Sequence, residues 1–306
     1  MIVFAVSRGF GYTLKAVQAE TPGLELRVME YEQLVGAPVL DWATYVFTDL
    51  DRLSAPQRRA AAQMYRSLRA AGVRVLNDPA LVPSRFGLLR KLHDLSFNRF
   101  NAYRVEDRSV PQRWPVFLRC EGEHTYPKSG LLHDRDELQC ALDAVLESGY
   151  PLPDLLIVEY AAEPIRPGLF RKFSSFQIGR RSFAHTCVHD DNWIVKYGKE
   201  GIAGEPLYEE ELTTLRVNPF QARTTEAFQI AGIEYGRVDF GIVQGEPQIY
   251  EINTNPEIKF PTDHPFAQRV ESYRVFKQNF FTALAGIDTP RQPRQLQLQR
   301  SQPVAR

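Results

Sequence analysis

The sequence predicts a mixed architecture: an α/β unit with a parallel sheet at the amino-terminal end, then an α+β region built on longer, more isolated strands. Three observations predict it. In the first eighty residues short apolar runs alternate with helical periodicity. Beyond Pro111 the strands lie far apart, separated by loops or by one helix. Between Gly236 and Asn253 two alternating runs flank Gln244-Gly245-Glu246-Pro247, the pattern of a hairpin. At 306 residues the chain exceeds what one compact core usually needs, so two or three structural units are expected.

The elements follow in order. Ile2 to Val6 is a short buried strand, and Leu24 to Met29 and Thr44 to Thr48 are two more. Ser7-Arg8-Gly9-Phe10-Gly11 follows the first strand, but Leu14 stands where a dinucleotide fingerprint needs its third glycine. It reads as a tight strand-to-helix turn or as a wall of an acceptor cleft. A helix capped by Ser54 carries Ala60, Ala61, Met64 and Leu68 on one face, and ends at Gly72 before a strand, Val73 to Leu76, and the turn Asn77-Asp78-Pro79. A second helix from Ser84 aligns Leu88, Leu92 and Leu95. Further strands are expected at Pro115 to Arg119, Leu155 to Tyr160, Phe173 to Ile178 and Trp193 to Tyr197, with a helix from Asp136 to Ser148. A long helix from Asp263 buries Phe266, Val270, Tyr273, Phe276, Phe280 and Leu284 before Gly286. The stretch from Thr289 to Arg306, rich in Gln, Arg and Pro, has too few anchoring side chains to offset its ordering entropy and reads as a floppy tail. A domain boundary is expected in Asp107 to Gln112 or earlier, near Asn77 to Pro83.

Composition narrows the function. With 43% apolar and 24% charged residues, the bulk of the chain can bury a core and is not disordered. Lys plus Arg and Asp plus Glu both number 37, so no overall field attracts nucleic acid or anionic lipid. Three widely spaced cysteines form no C-x-x-C pair, which argues against a disulfide scaffold and a Cys-based zinc site. No segment approaches the roughly 20 apolar residues of a membrane span, and the first residues do not read as a signal peptide. A cytoplasmic protein that binds neither nucleic acid nor membrane is expected. The sequence says nothing of its oligomeric state. His185, Cys187 and His189 alternate on a strand, with Asp190 and Asp191 nearby, an arrangement compatible with zinc but not the expected site of chemistry. His124 has no visible partner, and no G-x-x-x-x-G-K-[ST] loop or G-x-S-x-G elbow occurs.

The hairpin carries the chemistry. Side chains alternate across a strand, so Arg237, Asp239 and Gly241 share one face while Val238, Phe240 and Ile242 share the other. A loop of three or five residues pairs Asp239 with Glu251 and Arg237 with Asn253, and leaves Tyr250 and Ile252 on the core face. Two carboxylates directly opposite repel unless a proton or cation lies between them. With an amide oxygen they make hard ligands suited to magnesium bound jointly with phosphate.

Arg237-x-Asp239, then Glu251-x-Asn253 with Asn255-Pro256, resembles the carboxy-terminal signature of the ATP-grasp superfamily, which includes D-alanine ligases and glutathione synthetases. Earlier segments match in the expected order over nearly the whole chain apart from the tail. The resemblance implies a pre-ATP-grasp domain over residues 1–80 and a two-lobed ATP-grasp domain over 81–288, with the small lobe about 110–160 and the carboxy-terminal lobe about 161–288, before the tail 289–306. It implies ATP with Mg2+, or Mn2+ in its place, and metal ligation by Asp239, Glu251 and Asn253. Arg237 would steady the charge on an attacked acyl-phosphate. Glu159, Tyr160 and Ala161 match the hinge that grips adenine through backbone groups, and Glu163 the ribose ligand. Arg85 and Arg119 stand where the family usually has phosphate-binding lysines, and a planar guanidinium is not a point donor. The loop Cys120 to Thr125 is poorer in glycine than the family's phosphate cover. Lys172 and Lys196 fall on segments lining the nucleotide cleft.

The activity so implied is ligation of a small carboxylate to an amine or thiol, or to a peptide, through an acyl-phosphate. A nucleotide-binding protein without turnover, and a phosphotransferase that stops at a phosphorylated product, are the alternatives.

Overall fold

The computed structural model describes residues 1–20, 23–290 and 295–297. Its strands and helices are, in chain order, β1 (Ile2–Val6), α1 (Lys15–Ala19), β2 (Leu26–Glu30), α2 (Tyr31–Gly36), β3 (Leu40–Asp41), β4 (Thr44–Phe47), α3 (Ala55–Ala70), β5 (Val75–Leu76), α4 (Arg85–Asp94), β6 (Ala102–Arg104), β7 (Val116–Cys120), α5 (Arg135–Glu147), β8 (Leu155–Glu159), β9 (Phe170–Ile178), β10 (Arg181–Asp190), α6 (Glu205–Val217), α7 (Gln221–Ala231), β11 (Tyr235–Val243), β12 (Glu246–Asn253), α8 (Ala267–Ala285) and β13 (Gln295–Leu296).

The amino-terminal strands form a parallel sheet in the order β2-β1-β4-β5. Every side chain of β1 is buried, as a central parallel strand requires, because both of its faces are covered. Ser54 caps α3 in a reciprocal box with Gln57, and Ala61, Tyr65 and Leu68 face the core. The turn after β1 closes with a Phe10 N–H to Ser7 carbonyl bond, and Gly9 takes a φ of 80° there, where a side chain would be strained.

Two antiparallel sheets follow. The smaller has the order β6-β8-β7 and buries Val116, Leu118, Leu155 and Ile157 against α5. The larger has the order β10-β9-β11-β12, with α6 and α8 packed on β10. Phe276, Phe280 and Leu284 on α8 are buried, and Phe176 of β9 meets both phenyl rings. Helix α4 lies against β12 and β6 and so bridges the two sheets. Leu88, Leu89 and Leu92 make its buried face. Leu95, expected on that stripe, caps the helix end instead and is 57% exposed.

The parallel sheet is not a separate body. Phe4 of β1 meets Tyr235 of β11 edge to face at 5.1 Å, and residues from both sheets share two continuous cores. Asn77 is the polar stitch between them. It is fully buried with φ 63°, a conformation Asn tolerates better than most residues. Its amide nitrogen donates to the carbonyls of Phe47 (3.0 Å) and Tyr235 (2.8 Å). Its carbonyl oxygen accepts from the N–H groups of Glu234 (2.8 Å) and Tyr235 (3.0 Å).

Three expectations need correction. Trp193 to Tyr197 is irregular and forms no strand, because the backbone there turns through Asx bends at Asp190 and Asn192 rather than meeting a neighbouring strand. The tail is not wholly unanchored: β13 pairs with β3, and Leu296 is buried in the core beside the parallel sheet. Residues 291–294 and 298–306 of the expected tail lie outside the described residues. The alternation of His185, Cys187 and His189 is broken by a register shift between His185 and Val188, and no group of three or more His, Cys, Asp or Glu able to hold a metal gathers among the described residues. The buried Cys187 instead shares Glu211 with Arg269.

Asn77→Ala leaves two buried carbonyls and two buried N–H groups without partners and is expected to lower the unfolding free energy by roughly 3 kcal/mol. Asn77→Asp keeps the acceptor side and is expected to fall between. Urea denaturation followed by tryptophan fluorescence measures both.

Candidate functional site

Strands β11 and β12 pair in the expected register at the site, with Arg237 opposite Asn253 and Asp239 opposite Glu251, but the route to that register differs from the expected one. Val243 pairs with Glu246, so the loop is only Gln244-Gly245, both at positive φ (51° and 80°), as a two-residue primed turn requires. An even loop alone would set Asp239 and Glu251 out of phase. A bulge at Tyr250 restores the phase: Asp239 pairs with Glu251, but Phe240 pairs with Ile249. Asn98 holds the bulged strand by donating to the Ile249 carbonyl (2.8 Å) and accepting from its N–H (2.9 Å).

The bulge also moves a side chain. Ile249, not Tyr250, joins Val238 and Phe240 in the core, and Tyr250 turns to the polar face. Its hydroxyl donates to the Ala161 carbonyl at 2.7 Å. Gly241 lies beneath it, where a Cβ would come within 2.1 Å of that oxygen.

The polar face of the hairpin opens on a cleft that, with its mouth, encloses about 1080 Å3 free of protein atoms. Asp239 and Glu251 lie at one end. Asp239 is 1% exposed and contacts Lys172 Nζ (3.2 Å) and Arg237 Nε (2.8 Å). Glu251 accepts from Arg85 and has Arg119 at 3.7 Å. Four cations therefore surround two carboxylates. Burial alone would raise both acids, but Arg237 and Lys172 hold the Asp239 carboxyl below its ordinary range. Arg85, Arg119 and Lys172 do the same to Glu251. Arg119 is pushed down to about 10 by burial and by the facing Arg85, and its Nε has no partner. The surplus positive charge marks this end of the cleft as a place for an anion.

Arg85 also donates to the carbonyls of Glu121 (3.0 Å) and Glu123 (2.9 Å), so the N-terminus of α4 holds the loop that follows β7. Lys196 donates to the His124 carbonyl (2.6 Å) and closes that loop from the other side. His124 reaches Asp51 of the amino-terminal unit at 2.6 Å. Burial pushes the Asp51 carboxyl up, but the bond and charge of His124 outweigh it and hold the group below its usual range. The opposite end of the cleft is aromatic: Trp193 lies 4.9 Å from Phe117 and 5.7 Å from Tyr160, centroid to centroid.

Of the sequence-derived candidates, Arg85, Arg119, Glu159, Tyr160, Ala161, Glu163, Lys172, Lys196, Asp239 and Glu251 all line this cleft. Arg237 and Asn253 do not; Arg237 lies behind Asp239 as its bidentate partner, and the Asn253 side chain accepts from the Asn255 N–H (2.8 Å). The Glu159 carboxylate, 2% exposed, is used up within the small sheet, where it accepts from Asn101 N–H (2.9 Å), Tyr103 hydroxyl (2.8 Å), Gln112 N–H (3.0 Å) and Arg113 N–H (3.0 Å). Glu163 accepts from the Gln244 N–H (2.7 Å) and so ties the hinge to the hairpin turn.

Sequence reasoning does not place Phe117, Trp193, Tyr250 or His124 in the site. Parity could have found Phe117, which shares a strand face with Arg119. Trp193 was assigned to a strand, Tyr250 to the core, and the partner of His124 lies 73 positions away.

No family model and no curated protein matches the chain. Among solved structures it superposes on VanG D-Ala:D-Ser ligase from Enterococcus faecalis with a TM-score of 0.53 at 11% identity, over 94% of this chain and 98% of that one. A RimK domain protein ATP-grasp from Sphaerobacter thermophilus gives 0.52 at 14% identity over 94% and 98%. The chain has the ATP-grasp fold. A third structure of this fold, D-alanine–D-alanine ligase from Bacillus anthracis complexed with ATP, gives a TM-score of 0.50 at 11% identity, over 93% of this chain and 96% of that chain. These superpositions span nearly the whole of each chain, and no helix among the described residues is long and apolar enough to cross a membrane.

The depressed Glu251 carboxyl gives the site a pH signature. Its folded-state value lies below the unfolded one, so the stabilisation is complete above the ordinary glutamate range near pH 4.5 and is lost as pH falls below it. Stability of the wild type is expected to fall more steeply below that pH than stability of Glu251→Gln, as read from urea unfolding across a pH series.

Proposed function

We propose that this protein is an ATP- and Mg2+-dependent ligase that joins a small carboxylate to an amine, or to a thiol, through an acyl-phosphate. The observation that carries the reading is the pair of carboxylates on one face of the hairpin, at the cationic end of a cleft in an ATP-grasp fold. The donor set suits magnesium: Asp239 and Glu251 offer charged oxygens on the cleft wall, and Asn253, which does not line the cleft, would offer a neutral one through the lone pair that its bond to the Asn255 N–H leaves free. Lys172, held on Asp239 at 3.2 Å, already places a positive charge where a cation is wanted. Phosphate oxygens of the nucleotide would complete the ligand set. When bound there, the ion would supply charge to the phosphates and polarise the bond to be broken.

The chain's own residues supply the rest. Arg85, Arg119, Lys172 and Lys196 neutralise the phosphates. Arg119 and Arg85 present guanidinium forks where a lysine would present a point charge. Tyr160 and Ala161 bracket the base beside Trp193 and Phe117, and Glu163 takes the ribose hydroxyls. For Glu159 the proposal is narrowed to its backbone, since its carboxylate is committed within the small sheet. Arg237 orients Asp239 and contributes its charge to the acyl-phosphate from behind. Binding and positioning then lower the barrier, without a protein nucleophile.

A nucleotide-binding protein without turnover is the second reading, favoured by one observation: two arginines already neutralise Glu251. Incubation with ATP, Mg2+ and pooled amino acids separates the two. ADP release coupled to amide formation is expected for the ligase, and nucleotide binding without ADP sinks it. ADP with a phosphorylated product and no amide indicates a phosphotransferase. Asp239→Asn and Glu251→Gln are each expected to cut ADP release at least about a hundredfold while circular dichroism shows a folded protein, because neither carboxylate is part of the apolar core. Full activity in either variant overturns the metal assignment.

A further inference from the structure

We propose that Asp51 is a positioning residue of the reaction, acting through His124: it fastens the loop after β7 to the amino-terminal unit, and so holds Arg85 and Lys196 in place for the phosphates. The inference rests on the ligase reading above and deepens it, because it gives the amino-terminal unit a part in turnover. The turn Asp49 to Arg52, just past β4, reaches both sides of the site. On one side Asp49 accepts from the side-chain amide of Asn255 (2.8 Å), two residues beyond Asn253 at the end of the hairpin. On the other side Asp51 accepts from His124 Nε2 (2.6 Å) in the loop. The two acids are not interchangeable. Asp49 is 3% exposed and takes a φ of 53°, a left-handed conformation unfavourable for any residue but glycine. It is held there by the Ser7 N–H (3.2 Å) and by Arg52 (3.3 Å), whose guanidinium also lies over the Phe10 ring. Arg52 is thereby committed within its own unit, and Asp51 is left to bond outside it.

The loop transmits that bond to the cations. Arg85 donates to the carbonyls of Glu121 and Glu123, and Lys196 to that of His124, so the placing of these carbonyls sets the placing of both positive groups. Arg85 meets Glu251 at the same time. His124, Arg85 and Glu251 line both the cleft and a second cavity, about 500 Å3 with its mouth, which Asp51, Ser84 and Glu121 also border. The imidazole therefore has open space on two sides, and directed bonds to Asp51 and Lys196 fix its residue there. Without Asp51 the loop loses its tie to the amino-terminal unit, and the guanidinium and ammonium that follow its carbonyls lose the alignment that phosphoryl transfer needs. Nucleotide affinity depends less on that alignment, because the aromatic end of the cleft and Lys172 make no contact with the tie.

The test follows ADP release at saturating ATP and Mg2+ with pooled amino acids. Asp51→Ala and His124→Ala are each expected to lower that rate about tenfold or more, while calorimetric titration shows the Kd for ATP with Mg2+ raised less than about threefold. Asp51→Asn keeps an acceptor and His124→Gln keeps a donor, so each is expected to recover most of the rate. The double alanine variant is expected to match the slower single one within about twofold, because both substitutions break one bond. Hydrogen exchange over residues 120–126, measured without nucleotide, is expected to quicken in the alanine variants and not in the conservative ones. An undiminished rate in Asp51→Ala, unchanged exchange in it, or a Kd that rises in step with the loss of rate overturns the assignment and leaves the ligase reading standing. A rate lost in His124→Gln while exchange stays slow assigns His124 to proton transfer and overturns it as well. If the wild type releases no ADP, the ligase reading itself falls and this inference falls with it.

Discussion

Two carboxylates held on the same face of adjoining strands, one of them almost wholly out of water, cannot remain uncompensated. The fold around β11 and β12 is arranged by that constraint. Arg237 comes from the same strand as Asp239, Lys172 from β9 alongside it, Arg119 from the small sheet and Arg85 from the first residue of α4. Four elements therefore contribute a positive charge to the same point. This lets the two antiparallel sheets meet there without burying an unpaired ion, and it leaves enough positive charge to receive an anion.

The bulge at Tyr250 links backbone geometry to site chemistry. A tight two-residue turn suits the twist of the strands, but by itself it would set the two acids out of phase. One extra residue in β12 corrects the phase, brings Ile249 into the core and turns a tyrosine toward the hinge. Pairing of the acids and the entry of Tyr250 into the cleft wall are thus consequences of a single irregularity, held by Asn98.

The amino-terminal unit is joined to this machinery by a few polar bonds and a shared core. Asn77 ties β4 to β11, and Asp51 reaches His124 in the loop over the cleft. Asn255, just past the hairpin, donates to Asp49 (2.8 Å) and accepts from Thr13 (2.7 Å).

Much of the fold was legible from local pattern. Apolar parity placed β1, β4 and β11, and Ser54 and Ser84 marked helix starts through their own capping bonds. These depend on forces acting within a few residues, and so the sequence by itself determined them. The tertiary structure decided the rest. Trp193 is a cleft residue only because a loop from the larger sheet meets Phe117 of the smaller. Glu159 is a structural anchor only because four donors from distant segments converge on it. Tyr250 faces the cleft because a bulge, invisible in the alternation of types, adds one residue to one strand. Such features arise from how surfaces meet across long loops, and no periodicity along the chain encodes them.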